Sequence, residues 1–324
     1  MPISQARTIA FDVLLRVAKQ NAYADDVLRA QLEKSVQPQD AGLATELVLG
    51  VLRWQRLLDL LIDRYLKRPT DVADAEVRIA LRLGFYQLYF LTRVPAHAAL
   101  NESVELVKRA RKRSAANLVN AILRKASKEP RGDASPIDAA ARILPPAISP
   151  AERLGILHSH PTWIVERWLR TFGEKRTIAL LEANNRVPSL SAYVLDPTKE
   201  AETRQVLRNA GSTILPGRLL RDAWILEGGN PSACEAVRGG WIALQDEASQ
   251  AVAKLLAVDP GQAVLDLCAA PGGKTLHLAR AAGERGRVIA ADLHANRVRA
   301  MKERFELAAI KNVETFVMDG AQPL

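Results

Sequence analysis

The sequence predicts a multidomain chain: an all-α helical domain, a small α/β region, and a Rossmann-like α/β domain expected to be truncated. Three observations predict it. Residues 1–130 place apolar side chains at helical spacing and show no strand signal between them. Pro130, Pro136, Pro145, Pro146 and Pro150 then crowd one short stretch, where they remove backbone donors and stop helices. Residues 263–319 alternate apolar strand runs with helical segments, the pattern of a parallel sheet. The boundaries read from these signals are 1–130, a Pro-rich linker 131–150, a small α/β RNA-binding or connecting region 151–244, and 245–324.

Taken in order, Ser4 is placed to cap a first helix whose apolar positions are Ile9, Val13, Leu14 and Val17. Residues 40–66 keep the helical period over a length that predicts two helices or one bent helix, ended by Pro69. Residues 71–91 predict another helix, closed by Pro95, and Asn101–Arg113 and Asn117–Ala126 two more. Without strands, these close into an antiparallel bundle. The Pro-rich stretch leaves room for one helical turn near Ile137–Arg142. Thr162–Phe172 and Glu174–Asn184 read as helices, residues 191–196 and 223–228 as strands around a helix at Glu200–Ala210. Then come a buried apolar strand (263–270), a turn (271–274), a helix (275–283), a strand (287–293), a helix (295–310) and a strand (312–319).

The composition is ordinary for a globular protein, with 48% hydrophobic and 25% charged residues in 324, which excludes wholesale disorder. A mean hydropathy of −0.06 and the lack of a long uncharged apolar run exclude a helical membrane span. Arg7, Asp12, Arg16 and Lys19 interrupt the N-terminal apolar stretch, so it does not read as a signal peptide. Cys234 and Cys268 are too few for a disulfide framework or a cysteine-based zinc site, so no metal and a cytoplasmic setting are expected. The net charge of +9 is uneven: residues 1–130 carry 21 basic and 14 acidic side chains. Lys108, Arg109, Arg111, Lys112, Arg113, Arg124 and Lys125 fall within eighteen residues with no acid between them. Such a cluster attracts phosphate through Coulomb attraction and counterion release. The other reading is a solvated helical face. Aromatics are sparse there, so phosphate positioning rather than base stacking is expected.

In an open parallel sheet, ligands bind beyond the carboxyl ends of the strands. The loop Cys268, Ala269, Ala270, Pro271, Gly272, Gly273, Lys274 stands at one such end, with Asp292 and Asp319 at the next two. The glycines suit a close backbone approach and a positive φ. Asp292, about twenty residues past the glycine pair, suits the two hydroxyls of a ribose, and Asp319 an adenine amino group. A nicotinamide-dinucleotide fingerprint requires G-x-G-x-x-G, which this loop lacks. A phosphate-binding P-loop matches Gly273, Lys274 and Thr275 but requires glycine where Cys268 stands. S-adenosylmethionine held by a first-strand loop and a ribose carboxylate fits what remains. The bland alternative is a tight turn flanked by two solubilising aspartates.

The strings QDEASQ (245–250), LDLCAAPGGKT (265–275), AADL with Asp292 and MDG with Asp319 resemble the RsmB/Sun (Fmu) family of RNA cytosine-5 methyltransferases, the RsmB/NOP family. The N-terminal half is similar to the NusB-like RNA-binding helical domain of its bacterial members, VPAHAALNESVELVK (94–108) resembling that domain's closing helix. HPTWIVERW (160–168) and EANNRVP (182–188) resemble the middle region. The resemblance implies a class I methyltransferase fold and methylation of a cytosine C5 in 16S ribosomal RNA, with S-adenosylmethionine as donor. It implies that Cys268–Lys274 hold the methionine and sugar, Asp292 the ribose and Asp319 the adenine. One departure occurs: SAYVLDP (191–197) stands where the family commonly has an Arg-x-Asn strand.

Cytosine C5 needs activation by a thiolate adding to C6. The resemblance implies that this cysteine, and a second in an Asp-Ala-Pro-Cys loop, follow the third strand, so the nucleophile is expected beyond residue 324. Cys268 is expected to pack, buried, under the donor, and Cys234 lies in a loop with no nearby base. His158, His160, His277 and His294 read as surface or packing residues. The expectation is therefore a truncated, monomeric chain that binds RNA but does not turn over. The alternative is a non-catalytic RNA-binding protein of antitermination type. If the sheet ends after its third strand, the apolar first strand becomes an exposed edge.

Overall fold

A computed structural model describes residues 3–34, 36–66, 74–129, 135–231 and 234–322. Pro69 and Pro130, expected as helix stops, lie outside the described residues. The chain divides into two units, Met1–Arg186 and Val187–Leu324.

The first unit is helical among its described residues. It runs α1 (Gln5–Gln20), α2 (Ala24–Leu32), α3 (Pro38–Arg53), α4 (Gln55–Asp63), α5 (Ala75–Phe90), α6 (Ala96–Arg109), α7 (Ala116–Lys128), α8 (Pro136–Ala141), α9 (Pro150–Leu157) and α10 (Thr162–Asn185). Helix α5 is buried on all sides from Ile79 to Leu88 and is the axis on which α1, α3, α4, α6 and α7 pack. Its polar side chains are satisfied: Arg82 forks onto Asp59 at 2.8 and 2.7 Å, and Gln87 accepts from Arg7 at 2.6 Å. The long apolar run from residue 40 breaks at Trp54 into α3 and α4, as its length implied. Helix α6 begins at Ala96, five residues before the expected Asn101.

Several local expectations are corrected here. Ser4 occupies the N-cap position of α1 but makes no capping bond, because its hydroxyl donates to Glu102 at 2.8 Å and accepts from Arg7. Helices α2 and α9 were not read from the sequence, both being short; α2 opens without a capping side chain, and α9 lies at the end of the Pro-rich stretch. The described part of the Pro-rich stretch is packed, since Ala140 and Leu144 join the bundle core. Pro136 and Pro150 each sit in the first turn of a helix capped by a serine, Ser135 or Ser149, where a missing N–H costs nothing. The two helices expected at Thr162–Phe172 and Glu174–Asn184 are borne out: they make up α10, divided at Gly173, whose φ of 74° breaks the helical geometry.

The second unit carries two sheets. An antiparallel sheet in the order β2-β3-β1-β4 comprises β1 (Leu190–Val194), β2 (Thr213–Pro216), β3 (Ala223–Glu227) and β4 (Ile242–Leu244). Helices α11 (Glu200–Asn209) and α12 (Glu235–Arg238) accompany it, and α13 (Glu247–Leu255) follows. The second sheet is parallel, in the order β5 (Ala263–Asp266), β6 (Arg287–Asp292), β7 (Val313–Val317), connected through α14 (Gly273–Ala282) and α15 (Ala295–Leu307). Tyr193, Leu195 and Ala243 share an apolar cluster with Leu276, Ala290, Met301 and Phe305, so the two sheets belong to one unit.

Of the two expectations for the first strand, burial fails and the exposed edge holds. β5 is the edge of the parallel sheet among the described residues, and Leu265 is 45% exposed. Val264, Val288 and Val313 form the face packed beneath α14, whereas Leu265, Ile289 and Phe316 lie on the other, largely uncovered face. An apolar run marks a strand but does not say which faces find partners.

Candidate functional site

The loop from Cys268 to Lys274 leaves the carboxyl end of β5 and runs into α14. Its path is fixed by hydrogen bonds from both sides. Ala269 N–H donates to the Ala291 carbonyl at 2.8 Å and Gly272 N–H to the Ala269 carbonyl at 2.7 Å. The Ala270–Pro271 bond is cis. Thr275, fully buried, donates its hydroxyl to Asp266 at 2.8 Å, tying the first turn of α14 to the end of β5.

Asp292 ends β6 and is 5% exposed. Its carboxylate accepts from Ala270 N–H at 3.3 Å and from His294 N–H at 3.2 Å, with Arg297 at 3.5 Å. Arg297 also reaches the Ala270 carbonyl, so Asp292 and Arg297 together hold the loop's middle. A cleft of about 200 Å³ opens beside the loop, lined by Gln245, Asp266, Cys268, Ala269, Ala270, Pro271, Gly273, Lys274 and Arg304 among others. Six of the nine sequence-chosen cofactor residues therefore line one cleft. Gly272, Asp292 and Asp319 do not. Gly272 does have the positive φ that glycine was expected to supply, +89°, but a Cβ there would meet Met301 and Phe305 of α15 at 2.8 Å, not a ligand. Gly273 is helical, and its missing Cβ makes room for Gln245. Asp319 is exposed and accepts from Ala321 N–H at 3.0 Å.

Sequence reasoning left Gln245, Asp266 and Arg304 unassigned. Asp266 was visible as the last residue of an apolar strand and Gln245 as the first of QDEASQ. Arg304 carried no signal, because only the packing of α15 brings it to the loop, where it donates to the Pro271 carbonyl at 3.4 Å. Cys268 is exposed and lines the cleft, which corrects the expectation of a buried packing residue. The cause is the edge position of β5, which leaves the strand's end uncovered. Cys234 is buried with Ala192, Leu207 and Trp224 at the start of α12.

His277, on α14, packs its ring 3.9 Å from that of Tyr193, and its Nε2 lies 3.1 Å from Gln245 Oε1. Burial, reinforced by Lys254 and Arg280, pushes its pKa down to about 4, so the ring is neutral at pH 7.

The basic cluster is partly neutralised by acids from elsewhere in the fold. Arg109 forks onto Asp12 at 2.7 and 2.8 Å, Lys112 pairs with Asp74 at 3.0 Å and Lys108 with Glu105 at 2.7 Å. Lys125 lies 5.5 Å from the Tyr65 ring centroid. Arg111, Arg113 and Arg124 are exposed, with no ion pair among the described residues. No helix among the described residues is long and apolar enough to cross a membrane.

The fold and site define a class: a NusB-type helical domain followed by a parallel-sheet methyltransferase module. Residues 4–128 match the NusB family and residues 253–324 match 16S rRNA methyltransferase RsmB/F. Ribosomal RNA small subunit methyltransferase B of Pseudomonas putida is 35% identical over 311 residues, covering 93% of this chain and 66% of its own. The probable ribosomal RNA small subunit methyltransferase B of Synechocystis sp. is 32% identical over 324 residues, covering 98% of this chain and 70% of its own. The chain belongs to the ribosomal RNA small subunit methyltransferase B family, and it spans 66% and 70% of the length of these two relatives. The crystal structure of PH0851 shares the fold, with a TM-score of 0.75 at 21% identity over 98% of this chain and 70% of that one.

Proposed function

We propose that residues 1–324 form the RNA-binding and donor-binding part of an S-adenosylmethionine-dependent methyltransferase acting on C5 of a cytosine in 16S ribosomal RNA. The observation that carries this reading is the cleft at the Cys268–Lys274 loop, with Asp266 and Asp292 at the carboxyl ends of adjacent parallel strands. The residues present fit the donor's chemistry. Carboxylates and backbone groups suit its amino, hydroxyl and sulfonium groups, and no phosphate cradle is needed. A volume of about 200 Å³ is below the roughly 300 Å³ typical of small-molecule pockets, so the cleft takes one part of the donor rather than the whole.

In this reading Cys268–Lys274 and Asp266 receive the methionine and sugar end, Asp292 the ribose and Asp319 the adenine. Asp292 has a second task, holding the loop in shape through Ala270. S-adenosylmethionine supplies an electrophilic methyl group when bound. A cytosine accepts it at C5 only after a thiolate adds to C6. Cys234 is buried in an apolar cluster and Cys268 stands inside the donor cleft, so neither is assigned as that nucleophile. Arg111, Arg113 and Arg124 supply phosphate contacts to RNA from the helical unit.

The test is calorimetric titration of this chain with S-adenosylmethionine, alongside transfer of labelled methyl to 16S ribosomal RNA. Binding of donor without transfer is expected. Transfer at enzymatic rates would overturn the cysteine assignments. No donor binding together with tight RNA binding would favour a non-catalytic, antitermination-type role, for which the open arginines of the helical unit are the supporting observation.

A further inference from the structure

A second cavity, of about 480 Å³, lies in the second unit between the antiparallel sheet and α14. Tyr193, Arg204, Arg221, Trp224, His277 and Arg280 line it. Its two carboxylates are already engaged, Glu200 with Arg204 at 2.9 Å and Asp222 with Lys254 at 2.5 Å. Arg204 also stacks over Trp224, 4.2 Å from the ring centroid, which fixes its plane. Arg280 donates one N–H to the Val194 carbonyl at 2.9 Å and keeps its other donors for the groove. Arg221 is exposed and makes no ion pair among the described residues. Guanidiniums such as those of Arg221 and Arg280, beside the Arg204–Trp224 stack, are suited to planar, bidentate recognition of phosphate.

The loop that carries Arg221 is held rigid. Glu247, buried at the start of α13, accepts backbone N–H bonds from Arg218, Leu219 and Leu220 at 3.1, 2.8 and 2.9 Å. Lys254, two turns further along the same helix, pins Asp222. The QDEASQ string thus does two jobs: Gln245 walls the donor cleft and Glu247 shapes the arginine loop. The groove and the cleft are also neighbours, since His277 lines the groove while its partner Gln245 lines the cleft.

We infer that this groove is a phosphate-contacting subsite for single-stranded RNA, with Arg221 and Arg280 as its donors, seating the strand next to the donor cleft. The inference rests on the proposed RNA-methyltransferase function. Fluorescence anisotropy of the full chain with a labelled single-stranded oligoribonucleotide, across a salt series, tests it. Arg221→Glu should weaken binding about tenfold, the effect of one charge-assisted hydrogen bond lost. Arg221→Ala should lower the salt slope by about 0.7, the value for one phosphate contact on a single strand. Arg221→Lys should restore part of the affinity, and calorimetric titration with S-adenosylmethionine should give the wild-type affinity for all three variants. Wild-type RNA affinity and slope in Arg221→Glu, while Arg111→Glu still weakens binding, would overturn the groove and leave the proposed function standing. Failure of the unmodified chain to bind RNA at all would overturn both.

Discussion

Gly272 takes a φ of +89°, and a Cβ there would lie 2.8 Å from Met301 Cγ and from Phe305 Cε1. Gly272→Ala therefore adds left-handed strain to overpacking and should destabilise the second unit by about 2–4 kcal/mol, read from its urea unfolding midpoint. The same glycine turns the chain from Pro271 into α14, so loss of donor binding should accompany the lost stability. Asp292 separates positioning from contact. Asp292→Ala leaves Ala270 N–H without its acceptor and removes the ribose carboxylate, so donor affinity should fall about tenfold or more in calorimetric titration. Unchanged affinity would sink the ribose assignment. Sequence spacing was sufficient to select Asp292. It could not show that one carboxylate oxygen already accepts from Ala270 N–H, because only the sheet brings that loop to Asp292; the other oxygen accepts locally from His294 N–H.

Among the elements, α14 carries a pH-sensitive contact. An unfolded histidine titrates near its ordinary value of about 6.5, whereas burial holds folded His277 to about 4. Between these values the unfolded chain binds the extra proton, so stability rises with pH there. The contribution is fully present above pH ~6.5 and is lost as pH falls through 4. Chemical unfolding at pH 7 and pH 5 should show a larger acid loss for the wild type than for His277→Gln. Equal losses would mean that the burial of His277 does not set the acid dependence. The strand β5 makes a different prediction. Its edge is bare among the described residues and presents Leu265 at 45% exposure. Leu265→Lys should suppress concentration-dependent association in light scattering, since a charge on an edge strand opposes pairing. Helices α3 to α7 were legible because their apolar faces repeat over three or more turns. Strands β2 and β4 were not, being three or four residues long and stabilised by neighbours distant in sequence, Ile225 beside Leu215 and Tyr193 beside Ala243.

At the scale of the whole molecule, charge is distributed by folding as much as by composition. Seven basic residues without an intervening acid read as one patch, yet Asp12, Asp74 and Glu105 neutralise three of them. The remaining four are Arg111, Arg113 and Arg124, which are open, and Lys125, which lies over the Tyr65 ring. Reversing Arg111 and Arg113 to glutamate should weaken RNA binding and reduce its salt slope by roughly 0.7 per lost contact. The same reversal at Arg109 should also cost stability, because Asp12 would lose its partner and meet a like charge. An RNA affinity indifferent to all of these would return the cluster to a solvated face.

The sequence by itself determined the helical domain, the strand–helix–strand order of the parallel sheet, and the loop and aspartates from which the family could be recognised. These signals are local: apolar periodicity within one helix, a glycine pair within one turn, an aspartate at one strand end. Tertiary structure alone decided that residues 150–186 belong with the helical unit, that Arg304 reaches the loop, and which arginines stay open. Each of those depends on which surfaces meet across long sequence separations, and pairing energies between distant groups leave no mark on the pattern of either partner alone.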